Sequence, residues 1–136
     1  MTYLLDVNSL LALGVRRHVF HNRVLEWIAR LTRSGIPQIG TCSITELGFV
    51  RVLSQARQYG FSVVEARELL LGIKAVDSPH FVFIPDEHDI SRLPSWVKQP
   101  NQTTDGHLVE LANANGAQLA TLDEHIYGVY LIPQNS

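Results

Sequence analysis

Four acidic residues stand where a short apolar run ends or a helix begins: Asp6 after YLL, Glu46 in SITEL, Asp105 in TTDGHL and Asp123 after QLATL. Each has an ordinary structural explanation. An Asp after a strand commonly caps a turn or helix. Glu46, three residues after Ser43, completes a capping box, and Asp105 suits the positive end of a helix dipole. Brought to one edge, however, they form a different object. Two carboxylates about 4 Å apart repel by ~4 kcal/mol at an effective dielectric near 20, so a cluster of them holds a proton or a cation. Oxygen donors without a cysteine cluster suit hard Mg²⁺ or Mn²⁺. Such ions activate water toward a phosphodiester and steady the leaving oxygen. Six histidines are present, but no H-E-x-x-H or similar pairing points to zinc.

The elements that position these acids follow from the apolar pattern. Tyr3 to Asp6 reads as a buried strand, and Asn8 as the cap of a short helix over Ser9 to Leu13. A second helix is expected from Asn22 to Ser34, with Val24, Leu25, Ile28 and Leu31 inward and Gly35 then Pro37 ending it. Gln38 to Cys42 is a candidate strand. Ser43 with Glu46 opens a helix, Gly60 marks its end region, and Ser62 with Glu65 opens another bearing Ala66, Leu69, Leu70, Ile73 and Val76 on one face. His80 to Ile84 reads as a third strand, Asp86 to Leu93 as one or two helical turns, and residues 94–102 as a surface loop. Thr104 caps a helix over Asp105 to Asn115 that stops at Gly116. Gln118 to Leu122 and Val129 to Ile132 supply two more strands.

Strands alternating with helices imply an α/β fold: a mostly parallel central sheet of four to five strands with helices on both faces. In such sheets the ligand crevice lies beyond the carboxyl ends of the strands. Asp6 and Asp123 follow strands, and Glu46 and Asp105 start helices on the same edge. All four acids are therefore expected to converge.

Composition narrows the setting. At 136 residues, 46% hydrophobic and 18% charged, the chain reads as a single ordinary globular domain over residues 1–136. No apolar run reaches the roughly 20 residues of a membrane span. The opening segment has its charges after its apolar residues, the reverse of a signal peptide, and the lone Cys42 makes no internal disulfide. A cytoplasmic address is the expectation. A net charge of −2 does not mark a nucleic-acid binder by itself, but nine of the eleven basic residues are Arg. Arg16, Arg17 and Arg23 crowd one segment with His18 and His21.

These motifs together resemble the PIN-domain nucleases, and among them the VapC-type toxins of bacterial toxin–antitoxin pairs. LLDVN (4–8) is similar to the family's first acid with its Asn, and ITELGFVRVL (44–53) to its helix-borne Glu. TTDGHLVELANANGAQLATLDEHI (103–126) is similar to its block of third acid, helix, Gly stop, strand and T-x-D. The resemblance covers nearly the whole chain. It implies a PIN fold, Mg²⁺ or Mn²⁺, hydrolysis of RNA, a homodimer and a neutralising antitoxin. Carried over residue by residue, it makes Asp6, Glu46, Asp105 and Asp123 the catalytic, metal-holding acids. Asn8 and Thr121 become residues that hold those acids by hydrogen bonds. His125 stands where many relatives carry Arg or Gly, and an RNA contact there would depend on pH.

On that reading Arg16, Arg17 and Arg51 are candidate phosphate contacts, and the LLLGI run at 69–73 a candidate dimer face. A response-regulator receiver would need adjacent acids after the first strand and a late Lys, and a haloacid-type phosphatase would need D-x-D. Residues 6–8 are Asp-Val-Asn. The remaining alternatives are a PIN-fold module that binds RNA or protein without cutting, or an RNA-processing nuclease that is not a toxin.

Overall fold

In the computed structural model, which describes residues 1–35 and 38–134, the first strand, β1 (Thr2–Leu5), lies at the centre of a sheet. The strands β2 (Gln38–Thr41) and β3 (His80–Phe83) extend it on one side, and β4 (Ala117–Thr121) and β5 (Tyr130–Leu131) on the other. Every pairing is parallel. Leu4 stands opposite Gly40 and Leu119, and Leu5 opposite Ala120. The period of two sends Leu5 to one face, with Ile39, Ala120, Trp27 and Phe49, and Leu4 to the other, with Leu119, Leu108 and Leu111. A central strand buried on both faces is what a parallel sheet between two helix layers requires.

Four helices cover the Leu5 face: α1 (Val7–Gly14), α2 (His21–Ser34), α3 (Ser43–Gln55) and α4 (Val63–Lys74). A fifth, α5 (Thr103–Ala114), covers the Leu4 face, and Gly116 at φ +67° turns the chain from it into β4. The α/β expectation holds, with all five strands parallel. After β3 the chain returns to the far side of β1, so the direction of winding reverses between β1 and β4. That reversal opens a crevice above the carboxyl ends of these two strands.

Local details differ from the sequence reading, each for a physical reason. Asp6, not Asn8, caps α1: it is the last extended residue, and its Oδ1 accepts from Ser9 N at 2.8 Å. On α2 the buried stripe is Val24, Trp27 and Ile28, with Leu31 packed beside it. These positions keep the 3.6-residue period, whereas Leu25 is turned about 100° away and is 46% exposed. Pro37 lies outside the described residues. Cys42 caps α3, and Thr45, not Glu46, closes its capping box. The Ser62–Glu65 box of α4 forms as expected. Helix α4 stops at Lys74, which leaves Val76 outside it and exposed. A short 3-10 turn at Ile90–Arg92 replaces the expected helical turns, and another at Pro100–Gln102 leads into α5. No helix among the described residues is long and apolar enough to cross a membrane.

Gly48 makes one close approach possible. A Cβ there would stand 2.5 Å from Val7 Cγ2, so α3 could not seat against α1 with any larger residue.

Candidate active site

Asp6, Asp105 and Asp123 line a single cleft of about 440 Å³ above β1 and β4, floored by Val7, Leu11, Val52 and Leu108. Asp6 is almost fully buried, and both its oxygens are held: Oδ1 by Ser9 N, and Oδ2 by Thr121 Oγ1 at 2.5 Å. The buried Thr121 hydroxyl also accepts from Asp123 N at 3.0 Å, so one oxygen ties two of the acids together. Asp123 lies two residues past the end of β4, exposed, its carboxylate accepting from His125 N at 2.9 Å. Asp105, half-buried, enters from the first turn of α5.

The electrostatics follow from this crowding. Burial pushes the Asp6 carboxyl above the usual range, against the hydrogen bonds from Ser9 and Thr121, and the charge of Asp123 adds to the rise. Asp105 is pushed up to about 6, first by burial and then by repulsion from Asp6 and Asp123. Carboxylates that raise one another's proton affinity are equally set to welcome a cation. Among the described residues no three acidic, His or Cys side chains close on a bare ion. Carboxylates around an open cleft do suit Mg²⁺, which keeps several of its waters and needs only one or two direct carboxylates. The donor set fits the metal in that sense.

Glu46 is not part of this cleft. Its Oε2 accepts from Thr41 Oγ1 at 2.6 Å and from Lys74 Nζ at 2.5 Å. It edges a separate, mostly apolar depression of about 540 Å³ with Leu47, Val50, Leu71 and Phe83. The structure thus gathers three of the four sequence-selected acids and gives the fourth a cation from the chain itself.

The other selected residues are placed as follows. Asn8 borders the cleft, and its Oδ1 contacts His18 Nε2 at 2.9 Å rather than an acid. Arg16 is exposed in the turn after α1, whereas Arg17 Nη2 donates to Tyr59 O at 2.9 Å. Arg51 is exposed on α3, and the His125 side chain is exposed beside Asp123. Sequence reasoning overlooked Lys74 and the role of His18. It also overlooked a hydrogen bond between His107 and Asp86 that ties the loop after β3 to the first half of α5. A pairing across 28 positions, such as Lys74 with Glu46, has no local signature to find.

The PIN domain family model matches residues 3–131, a span that takes in all three clustered aspartates and Glu46. The chain belongs to the PIN-domain family. Ribonuclease VapC44 of Mycobacterium tuberculosis is 40% identical to this PIN domain over 131 residues, 93% of this chain and 89% of that protein. Ribonuclease VapC38 of the same organism is 33% identical over 130 residues, covering 91% and 86%. Among solved structures, that of M. tuberculosis VapC20, described as a Sarcin-Ricin loop cleaving toxin, aligns with a TM-score of 0.63. It covers 96% of this PIN domain and 99% of that chain at 14% identity, a likeness of fold.

Proposed function

We propose that this PIN domain, a single domain, is a Mg²⁺- or Mn²⁺-dependent endoribonuclease that hydrolyses RNA phosphodiester bonds. We read it as the cytoplasmic toxin of a toxin–antitoxin pair, which blocks translation by cutting RNA. The observation that carries the chemistry is the meeting of Asp6, Asp105 and Asp123 in one cleft from β1, α5 and β4. The relatives at 33–40% identity are named ribonucleases, which supports the substrate class, and the antitoxin follows from the resemblance to VapC-type toxins.

Asp6, Asp105 and Asp123 are the residues that would hold the metal. When bound, it supplies an activated water and stabilises charge on the leaving oxygen. The chain's own groups prepare that site. Ser9 N and Thr121 Oγ1 hold the Asp6 carboxylate in one orientation, and Thr121 sets the backbone of Asp123 relative to it. Leu11 and Leu108 line the floor beside the acids and keep that side of the cleft dry. Glu46 stands beside this arrangement as the fourth acid of the motif, committed to Lys74.

The test is cleavage of total cellular RNA with Mg²⁺, Mn²⁺ or EDTA, by the parent chain and by Asp6→Asn and Asp123→Asn. Metal-dependent cleavage that both variants lose is expected. Added metal should raise the parent's melting temperature and raise those of the variants less, because a ligand of the folded state stabilises it by mass action. Cleavage that persists in EDTA, or that only Zn²⁺ restores, overturns the metal assignment.

A further inference from the structure

The loop between α1 and α2 fixes the protonation of a histidine, and through it the orientation of an amide at the cleft. His18 Nδ1 accepts from the backbone N–H of Phe20 at 3.0 Å. A backbone N–H can only donate, so Nδ1 is the bare nitrogen of the ring and Nε2 carries the hydrogen. That hydrogen points at Asn8, 2.9 Å away, and the atom of Asn8 facing it must therefore be the acceptor Oδ1. The oxygen and nitrogen of Asn8 are thereby distinguished by chemistry. Burial and the nearby His21 both favour neutral His18, in keeping with this bond.

With Oδ1 committed to His18, the free end of Asn8 is its Nδ2 amide, which has no protein partner among the described residues. Asn8 borders the cleft whose other polar groups are the acceptors Asp6, Asp105 and Asp123 and the hydroxyl of Thr104. A cleft that admits a phosphodiester beside three carboxylates needs a donor for the phosphate's non-bridging oxygens, and a neutral amide supplies one without competing for the metal.

We propose that His18 is a positioning residue. It holds Asn8 with its amide hydrogens toward the cleft, as a donor to a non-bridging oxygen of the bound phosphodiester. The assignment rests on the nuclease reading above and adds a substrate contact to it.

The experiment uses the full chain and a short fluorophore- and quencher-labelled RNA of mixed sequence, with Mn²⁺. His18→Phe keeps a ring but removes both hydrogen bonds, and kcat/KM should fall about tenfold or more. Asn8→Ala should fall comparably, and the double variant no further than the worse single, since the two residues act as one device. His18→Gln, which can still donate to Oδ1, should stay within a few-fold of the parent. Long-range nitrogen–proton NMR of the histidines should show His18 neutral with its hydrogen on Nε2.

A hydrogen on Nδ1, additive losses, or full activity in His18→Phe while Asp6→Asn is dead would each overturn the inference and leave the nuclease reading intact. A parent that cuts no RNA, or Asp6→Asn that cuts as well as the parent, overturns both.

Discussion

Thr121 Oγ1 donates to Asp6 Oδ2 across 115 positions of sequence, and the same oxygen accepts the backbone N–H of Asp123. A single hydroxyl on a central strand thus sets the spacing of two acids. Thr121→Val keeps the shape and β-branching but removes both bonds, stranding a buried carboxylate oxygen. The loss should be about 1–3 kcal/mol in urea unfolding, with weaker Mn²⁺ stabilisation. Thr121→Ser, which keeps the hydroxyl, should recover most of both. Equal behaviour of the two variants would leave the hydroxyl without a role.

Asp105 supplies a pH signature. Its carboxyl is raised to about 6, so the metal-free folded chain holds this proton more readily than the unfolded chain. The stabilising contribution is complete below the ordinary carboxylate range and is lost as pH rises through about 6. Asp6 acts with the same sign. In EDTA the parent's melting temperature should therefore fall, relative to Asp105→Asn, between about pH 4 and pH 6.5. Mg²⁺ should counteract that fall above pH 6. Parallel profiles for parent and variant in EDTA would contradict the crowding of the three aspartates.

The Lys74–Glu46 pair is roughly three-quarters buried on both sides and is reinforced by Thr41. Glu46→Gln and Lys74→Met should each cost on the order of 1–3 kcal/mol, and the double variant less than their sum. The same samples report on catalysis. Metal-induced stabilisation should survive in Glu46→Gln and shrink in Asp6→Asn. Equal shrinkage would place Glu46 among the metal's holders after all.

Arg16 and Arg17 part company in the structure. Arg16 is exposed, and Arg17 is tied to the Tyr59 carbonyl. Arg16→Ala should reduce the salt dependence of RNA binding by about one unit of log–log slope. Arg17→Ala should change the slope less and lower thermal stability instead. Titrations of a catalytically silent Asp6→Asn background at several salt concentrations decide between them.

Homodimerisation has a candidate surface in Leu47 (70% exposed), Leu71 (55%) and Phe83 (49%), which border the apolar depression between α3 and α4. Light scattering at tens of micromolar should give the mass of two chains for the parent and one for Leu71→Asp. A monomeric parent would refute this.

Much of this arrangement could be read from the chain because the strands are short apolar runs closed by polar residues, and their order dictates which ends share an edge. The convergence of Asp6, Asp105 and Asp123 followed from that topology alone. Glu46 escaped it for a local reason. Ser43 is a common capping residue and Glu46 stands three positions on, but the chain turns one residue earlier at Cys42 and uses the Thr45 hydroxyl. A one-residue shift rotates a helix by about 100°, enough to carry a side chain to another surface. On α2 the expected stripe holds at Val24, Ile28 and Leu31, with the unassigned Trp27 buried among them and Leu25 exposed. The links from His18 to Asn8 and from Lys74 to Glu46 lay beyond reach because each joins residues with no fixed spacing between them.

The central position of β1 has a temporal consequence. Asp6 is made 115 residues before Thr121, which lies on its partner strand Ala117–Thr121 and supplies the bond that orients it. During synthesis on a ribosome the acidic cleft cannot assemble until β4 has left the exit tunnel, by which point α1 to α5 are already outside. Until then the buried Asp6 carboxylate lacks its Thr121 partner and Asp123 has no place beside it. The long sequence separation of β1 and β4 makes that closure a late event in folding.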